Sequence, residues 1–169
     1  MVETLGEIVP RAARRWGEKL ALVVDGHILT YRDLEAKSNA IANGLLGAGI
    51  APGDRVMIYG PNSWQWMVAY VAAAKTGAIV NPVNVMLTEG EIGYIIKDSG
   101  TKCVLGSADK AGPLAAHIGT TNLSTVVVWG GAVPARAKAF DLWLEIGAPE
   151  FATAKVDPLS PGAICYTSG

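Results

Sequence analysis

The chain has 169 residues, of which 50% are hydrophobic; this is enough apolar material for one buried core, and we predict a single domain over residues 1–169. Its net charge is −1 and only 17% of its residues are charged, so it lacks the basic surface of a protein that binds nucleic acid or an anionic membrane. Its N terminus has no basic region followed by an apolar core, and its longest apolar stretch is interrupted. These features argue against a secretory signal and a transmembrane segment, and we expect a cytoplasmic location.

A helix-start pattern occurs four times in the first hundred residues. Each time, an N-cap acceptor stands three residues before an acid or amide that can reach back to the N–H of the cap. The pairs are Thr4 with Glu7, Thr30 with Asp33, Asn62 with Gln65, and Thr88 with Glu91. Four helices are therefore predicted, the second of which ends near Gly47 and Gly49.

Short runs rich in β-branched residues separate these helices. Most of the runs are apolar throughout, which is typical of strands covered on both faces. They are residues 20–24, 56–59, 78–80, 103–105, 125–129 and 163–167. Helices alternating with such strands predict an α/β fold: a three-layer α/β/α sandwich with a mostly parallel sheet.

Turn residues organise the remaining segments. Asp25-Gly26 predicts a hairpin that pairs the first strand with Ile28-Leu29 as a small antiparallel ribbon. After residue 129, we predict a surface loop over 130–138, a short helix over 140–146, and an extended connector over 149–161.

Several familiar sites are missing from the sequence. Cys103 and Cys165 lack a Cys-x-x-Cys spacing and are interpreted as buried thiols. His27 and His117 are assigned structural, solvated roles. Gly47-Ala48-Gly49 follows a helix, whereas a dinucleotide fingerprint follows a strand. No catalytic residue and no metal site are therefore predicted.

The tripeptide Thr167-Ser168-Gly169 is the candidate binding site. Small hydroxyl residues and a glycine after a buried strand let the backbone curl its N–H groups around phosphate oxygens, because glycine permits positive φ and close approach. These three residues therefore predict the beginning of a phosphate-binding loop. A complete loop needs further residues, usually including a lysine.

Four motifs occur in a characteristic order along the chain. They are Leu29-Thr30-Tyr31-Arg32-Asp33-Leu34, Gly53-Asp54-Arg55-Val56, the stretch from Ala72 to Pro82, and the stretch from Ala163 to Gly169. In this order and spacing they resemble the N-terminal part of an AMP-forming acyl-CoA synthetase, a member of the adenylate-forming superfamily. The stretch 81–88 is closer to fatty-acyl and aryl-acid CoA ligases than to peptide-synthetase adenylation domains.

The resemblance implies an ATP-dependent carboxylic acid:CoA ligase that uses ATP, Mg²⁺ and coenzyme A on a small-molecule carboxylic acid, either fatty or aromatic. It implies that Thr167, Ser168 and Gly169 bind ATP and that no earlier position is catalytic. It also implies that the chain is the N-terminal subdomain of a larger adenylation domain, with a C-terminal domain beyond it, so the 169 residues alone are expected to be inactive.

The alternative is a stand-alone flavodoxin-like binding or interaction module without catalysis. The low charged fraction further predicts an apolar face that lets the chain self-associate.

Overall fold

The computed structural model describes residues 4–167. The helices are α1 Leu5–Trp16, α2 Tyr31–Gly47, α3 Trp64–Lys75, α4 Glu89–Ser99, α5 Ala108–Ala111 and α6 Phe140–Ile146, with a 3₁₀ turn at Gly112–His117. The strands are β1 Leu20–Val24, β2 His27–Thr30, β3 Arg55–Tyr59, β4 Ile79–Pro82, β5 Cys103–Ser107, β6 Thr125–Trp129 and β7 Lys138–Ala139.

Five parallel strands form the main sheet in the order β4-β3-β5-β6-β7. Apolar clusters cover both faces of this sheet. One contains Val56 and Ile58 with residues of α2, α3 and α6, and the other contains Met57 and Tyr59 with residues of α4 and the 3₁₀ turn. The predicted α/β class, three layers and parallel sheet are confirmed.

Three of the four predicted helix starts have the expected caps. Thr30 Oγ1 accepts from Asp33 N at 3.1 Å, and the Asp33 carboxylate accepts from Thr30 N at 2.9 Å. Thr88 and Glu91 repeat this arrangement at the start of α4. The prediction for the third helix was wrong by one residue, since Ser63 replaces Asn62 as the cap of α3. Its hydroxyl accepts from Trp66 N at 3.2 Å because Ser63 itself is extended.

The predicted ribbon is confirmed as the antiparallel pair β1–β2, in which Val23 lies opposite Ile28. Its turn has positive φ at both Asp25 (47°) and Gly26 (76°), as a tight type I′ hairpin requires. The predicted short helix at 140–146 is α6.

The predicted strand at 163–167 is wrong, and Pro82 supplies the reason. The segment makes one parallel bridge, between Ala163 and Val80: Val80 N donates to Gly162 O, and Ile164 N donates to Val80 O. On the same edge of β4, the next residue whose backbone nitrogen faces away from β3 is Pro82. Proline has no N–H to donate, so the ladder stops after one bridge.

Candidate functional site

The order of strands creates a switch point between β3 and β5. Counted along the chain, the sheet has the order 2-1-3-4-5, in which the connection after β3 runs to one side of the sheet and the connection after β5 runs to the other. Ligands of such sheets bind outside the carboxyl ends of the strands. The carboxyl edge of the sheet is therefore the candidate site.

The ends of β3 and β5 pack closely against each other. A side chain at Gly106 would collide with the carbonyl oxygen of Tyr59, and one at Gly60 would lie 2.9 Å from Ser107 N. The segment 162–167 lies on the opposite edge of β4 from β3. Of the predicted site residues, Thr167 is carried by this segment.

The chain direction of the segment 162–167 determines where Thr167 lies. Because the bridge between Ala163 and Val80 is parallel, residues after Ala163 proceed in the direction of the carboxyl end of β4. Thr167 is exposed there, and Ser168 and Gly169 lie outside the described residues. The segment thus carries the hydroxyl of Thr167 towards the carboxyl edge of the sheet, where parallel sheets bind ligands.

A side-chain contact also holds this segment. Tyr166 packs against the apolar cluster of Met57 and Tyr59, and its hydroxyl donates to Asp98 Oδ2 of α4 at 2.6 Å. Desolvation, followed by the hydrogen bond to the Asp98 carboxylate, raises the pKa of Tyr166 to about 12. Tyr166 therefore remains protonated and able to donate at neutral pH.

The charged residues of the motif Gly53-Asp54-Arg55-Val56 have structural contacts. Arg55 Nε donates to Ser99 O at 2.6 Å and its Nη2 donates to Gly100 O at 3.1 Å, so the guanidinium binds the carboxyl end of α4. Asp54 Oδ2 lies 2.8 Å from Lys102 Nζ. Burial would raise the pKa of Asp54, but the hydrogen bonds from Lys102 and from the Ala51 N–H outweigh it and lower that pKa.

The histidines and cysteines are separate from one another. The His27 ring centroid is 6.0 Å from that of Trp64, and His117 Nε2 is 4.0 Å from a Glu89 oxygen. Cys103 is buried, which raises the pKa of its thiol. The expectation for Cys165 was wrong, because this thiol lies exposed on the segment at the sheet edge.

Sequence analysis missed one buried polar cluster. Lys75 of α3 is fully buried and donates to Glu35, Ser38 and Asn39, all on α2. The available signal was a lysine inside an apolar helix together with polar residues on the inward face of α2. The cluster joins α3 to α2.

Two further findings concern residues 4–167. In that range, His, Cys, Asp and Glu form no group of three that could hold a metal ion. Nor does a helix there combine the length and apolarity needed to cross a bilayer.

The family model of the AMP-binding enzymes matches residues 9–169. The chain belongs to the AMP-binding enzyme family. A fatty acid–[acyl-carrier-protein] ligase of Streptomyces coeruleorubidus is 35% identical over 150 residues, which are 88% of this chain and 27% of that protein. The resemblance to adenylate-forming enzymes is confirmed.

Solved structures of AMP-binding enzymes share the fold. A fatty acyl CoA synthetase of Mycobacterium tuberculosis has a TM-score of 0.80 at 26% identity, over 98% of this chain and 32% of that one. A long-chain-fatty-acid-CoA ligase of Archaeoglobus fulgidus has a TM-score of 0.87 at 22% identity, over 99% of this chain and 35% of that one. The chain thus spans about a third of the length of these structures.

Proposed function

We propose that the protein containing this chain is an ATP-dependent carboxylic acid:CoA ligase with fatty acids as its substrate class. The observation that carries the proposal is the match to the AMP-binding family over residues 9–169. The fatty acyl ligases among its relatives favour fatty acids over aryl acids. Residues 1–169 would form one α/β subdomain of that enzyme.

Thr167, Ser168 and Gly169 are proposed to begin the loop that binds the phosphates of ATP. Support comes from the parallel course of the segment, which carries Thr167 towards the carboxyl edge of the sheet. The hydroxyl of Thr167 is exposed and can donate to a phosphate oxygen. Backbone N–H groups in a glycine-containing turn would add further donors.

The proposed reaction has two steps. A carboxylate oxygen attacks the α-phosphorus of MgATP, and the bond from that phosphorus to the bridging oxygen breaks, so pyrophosphate leaves with the electron pair. The thiolate of CoA then attacks the acyl carbon, and AMP leaves as the thioester forms. Donors fixed around the phosphates stabilise the charge that develops in the first step. Thr167 would contribute one such donor.

Acid-dependent exchange of pyrophosphate into ATP tests the first step. The longest protein that the gene encodes should catalyse this exchange with medium- or long-chain fatty acids and less well with benzoate. No exchange with any acid would contradict the ligase and favour a binding module. Supplying CoA or a phosphopantetheinylated carrier protein then identifies the thiol, and we expect CoA.

A pair of variants tests the proposed loop. Thr167→Val removes the hydroxyl at nearly constant volume and should lower exchange by roughly ten- to a hundredfold. Ser160→Ala removes an exposed hydroxyl from the connector and should leave exchange unchanged. Equal rates for the two variants would contradict the role of Thr167.

The isolated 169 residues are proposed to be inactive. The intact ligase is proposed to be cytoplasmic, because ATP and CoA are intracellular metabolites.

Self-association of the chain also stays a prediction. It is supported by the exposed apolar side chains of Leu20, Val23 and Ile28 on the ribbon. A monomer in sedimentation at high concentration would contradict it.

A further inference from the structure

The segment that leads to Thr167 is hydrogen-bonded to the rest of the protein at two places, and the ring of Tyr166 also packs against the apolar cluster of Met57 and Tyr59. The first is the backbone of Val80, which bonds to Gly162 O and to Ile164 N. The second is the side chain of Tyr166, which lies next to Thr167 and donates to Asp98 at 2.6 Å. Because Pro82 ends the ladder, no further backbone bond of β4 holds residues 165–167.

Asp98 occupies an unfavourable position for a carboxylate. It lies in the last turn of α4, where the helix dipole is negative and cations are favoured. The exposed hydrogen bond from Tyr166 offsets this effect, since a phenol that donates to a carboxylate makes a short, charge-assisted bond. The Asp98 carboxylate therefore disfavours the end of α4 but stabilises the segment at the sheet edge through its hydrogen bond with Tyr166.

We infer that Tyr166 is a positioning residue, whose hydrogen bond to Asp98 fixes the root of the phosphate-binding loop on α4. The inference rests on the proposed function for the identity of the ligand. Tyr166 acts through its neighbour Thr167, because its own hydroxyl is engaged by Asp98. Breaking the bond leaves the backbone bonds to Val80 and the packing of the ring at position 166, which together hold the loop root less firmly.

Hydrogen–deuterium exchange tests the attachment without requiring activity. In the longest encoded protein, Tyr166→Phe and Asp98→Ala should each increase amide exchange across residues 164–167. Asp98→Asn keeps a carbonyl acceptor and should restore most of the protection. Tyr59→Phe is the matched control, because it removes a tyrosine hydroxyl that donates to Leu87 O at 2.9 Å within the same cluster.

Kinetics test the consequence for ATP. Tyr166→Phe and Asp98→Ala should each raise KM for ATP about fivefold with a smaller change in kcat, and Tyr59→Phe should not. The double variant should be no worse than either single variant, since both remove the same bond.

Unchanged amide exchange in Tyr166→Phe, or an unchanged KM for ATP in an active enzyme, would overturn the inference. An equal effect of Tyr59→Phe would also overturn it, since general destabilisation would then explain the result. If the unmodified protein itself does not catalyse acid-dependent exchange of pyrophosphate into ATP, the proposed function fails. In that case, the hydrogen-exchange comparison alone decides whether Tyr166 holds the segment.

Discussion

Lys75 Nζ lies 2.7 Å from Glu35 Oε2, and the lysine side chain is completely buried between α3 and α2. Ser38 Oγ, Asn39 Oδ1 and the backbone oxygen of Glu35 also accept from Lys75 Nζ, at 2.8, 2.6 and 3.3 Å. Desolvation lowers the pKa of Lys75, and the hydrogen bond to Glu35 opposes that shift. The ammonium is tolerated in the interior because α2 supplies a charge and three neutral acceptors for it.

Replacing Glu35 by Gln should destabilise the fold by about 2–4 kcal/mol, because the buried ammonium then loses its counter-charge. Denaturant unfolding would measure the change. The control is Arg32→Gln, which breaks the exposed pair between Arg32 and Glu18 and should cost less than about 1 kcal/mol. Similar small losses for both variants would contradict the assigned role of Glu35.

Gly44 and Gly47 on α2 should respond oppositely to alanine. A side chain at Gly44 would collide with the indole of Trp143 on α6, and we expect a loss of about 1–3 kcal/mol. Among residues 4–167, nothing beyond the adjoining backbone of α2 would lie within 4 Å of a Cβ atom at Gly47, so alanine there should be neutral or stabilising by up to about 1 kcal/mol. Thermal unfolding measures the change in stability of each variant. A Gly44→Ala variant as stable as the unaltered protein would contradict the contact between Gly44 and Trp143.

Asn81 is fully buried in β4, and neither amide atom has a hydrogen-bond partner among residues 4–167. Leucine, of similar size, should stabilise the protein by about 1–2 kcal/mol, because it removes an uncompensated desolvation penalty. Asn39→Leu is the control: its amide bonds to Lys75 and to Pro149 O, so its loss should destabilise the fold. Destabilisation of both variants would show that Asn81 has a polar partner.

The cap of α2 should give a pH-dependent contribution. The hydrogen bonds from the hydroxyl and the N–H of Thr30 lower the pKa of Asp33 below its ordinary value of 3.8. The folded state thus favours the carboxylate, and this stabilisation is present above pH 3.8 and is lost as the pH falls through the folded pKa. Asp33→Asn should cost about 0.5–1 kcal/mol at pH 7 and progressively less in acid. A pH-independent difference between the two proteins would contradict this.

Local sequence predicted five of the six helices described in residues 4–167, most strands, the hairpin and the α/β class, because each depends on residues a few positions apart. Thr30 reaches Asp33 within one turn, and Asp25-Gly26 closes its hairpin by backbone conformation alone. The same local reading identified Thr167-Ser168-Gly169 as a candidate phosphate loop.

Tertiary structure decided the surroundings of that candidate. The absent N–H of Pro82 matters only because 162–164 lies against β4, and it turned a predicted strand into a single bridge. Tyr166 meets Asp98 across 68 positions of sequence, and Lys75 meets Glu35 across 40. The residue types permit these pairings, but partners are selected by the packing of whole helices and strands, which no short window of sequence contains.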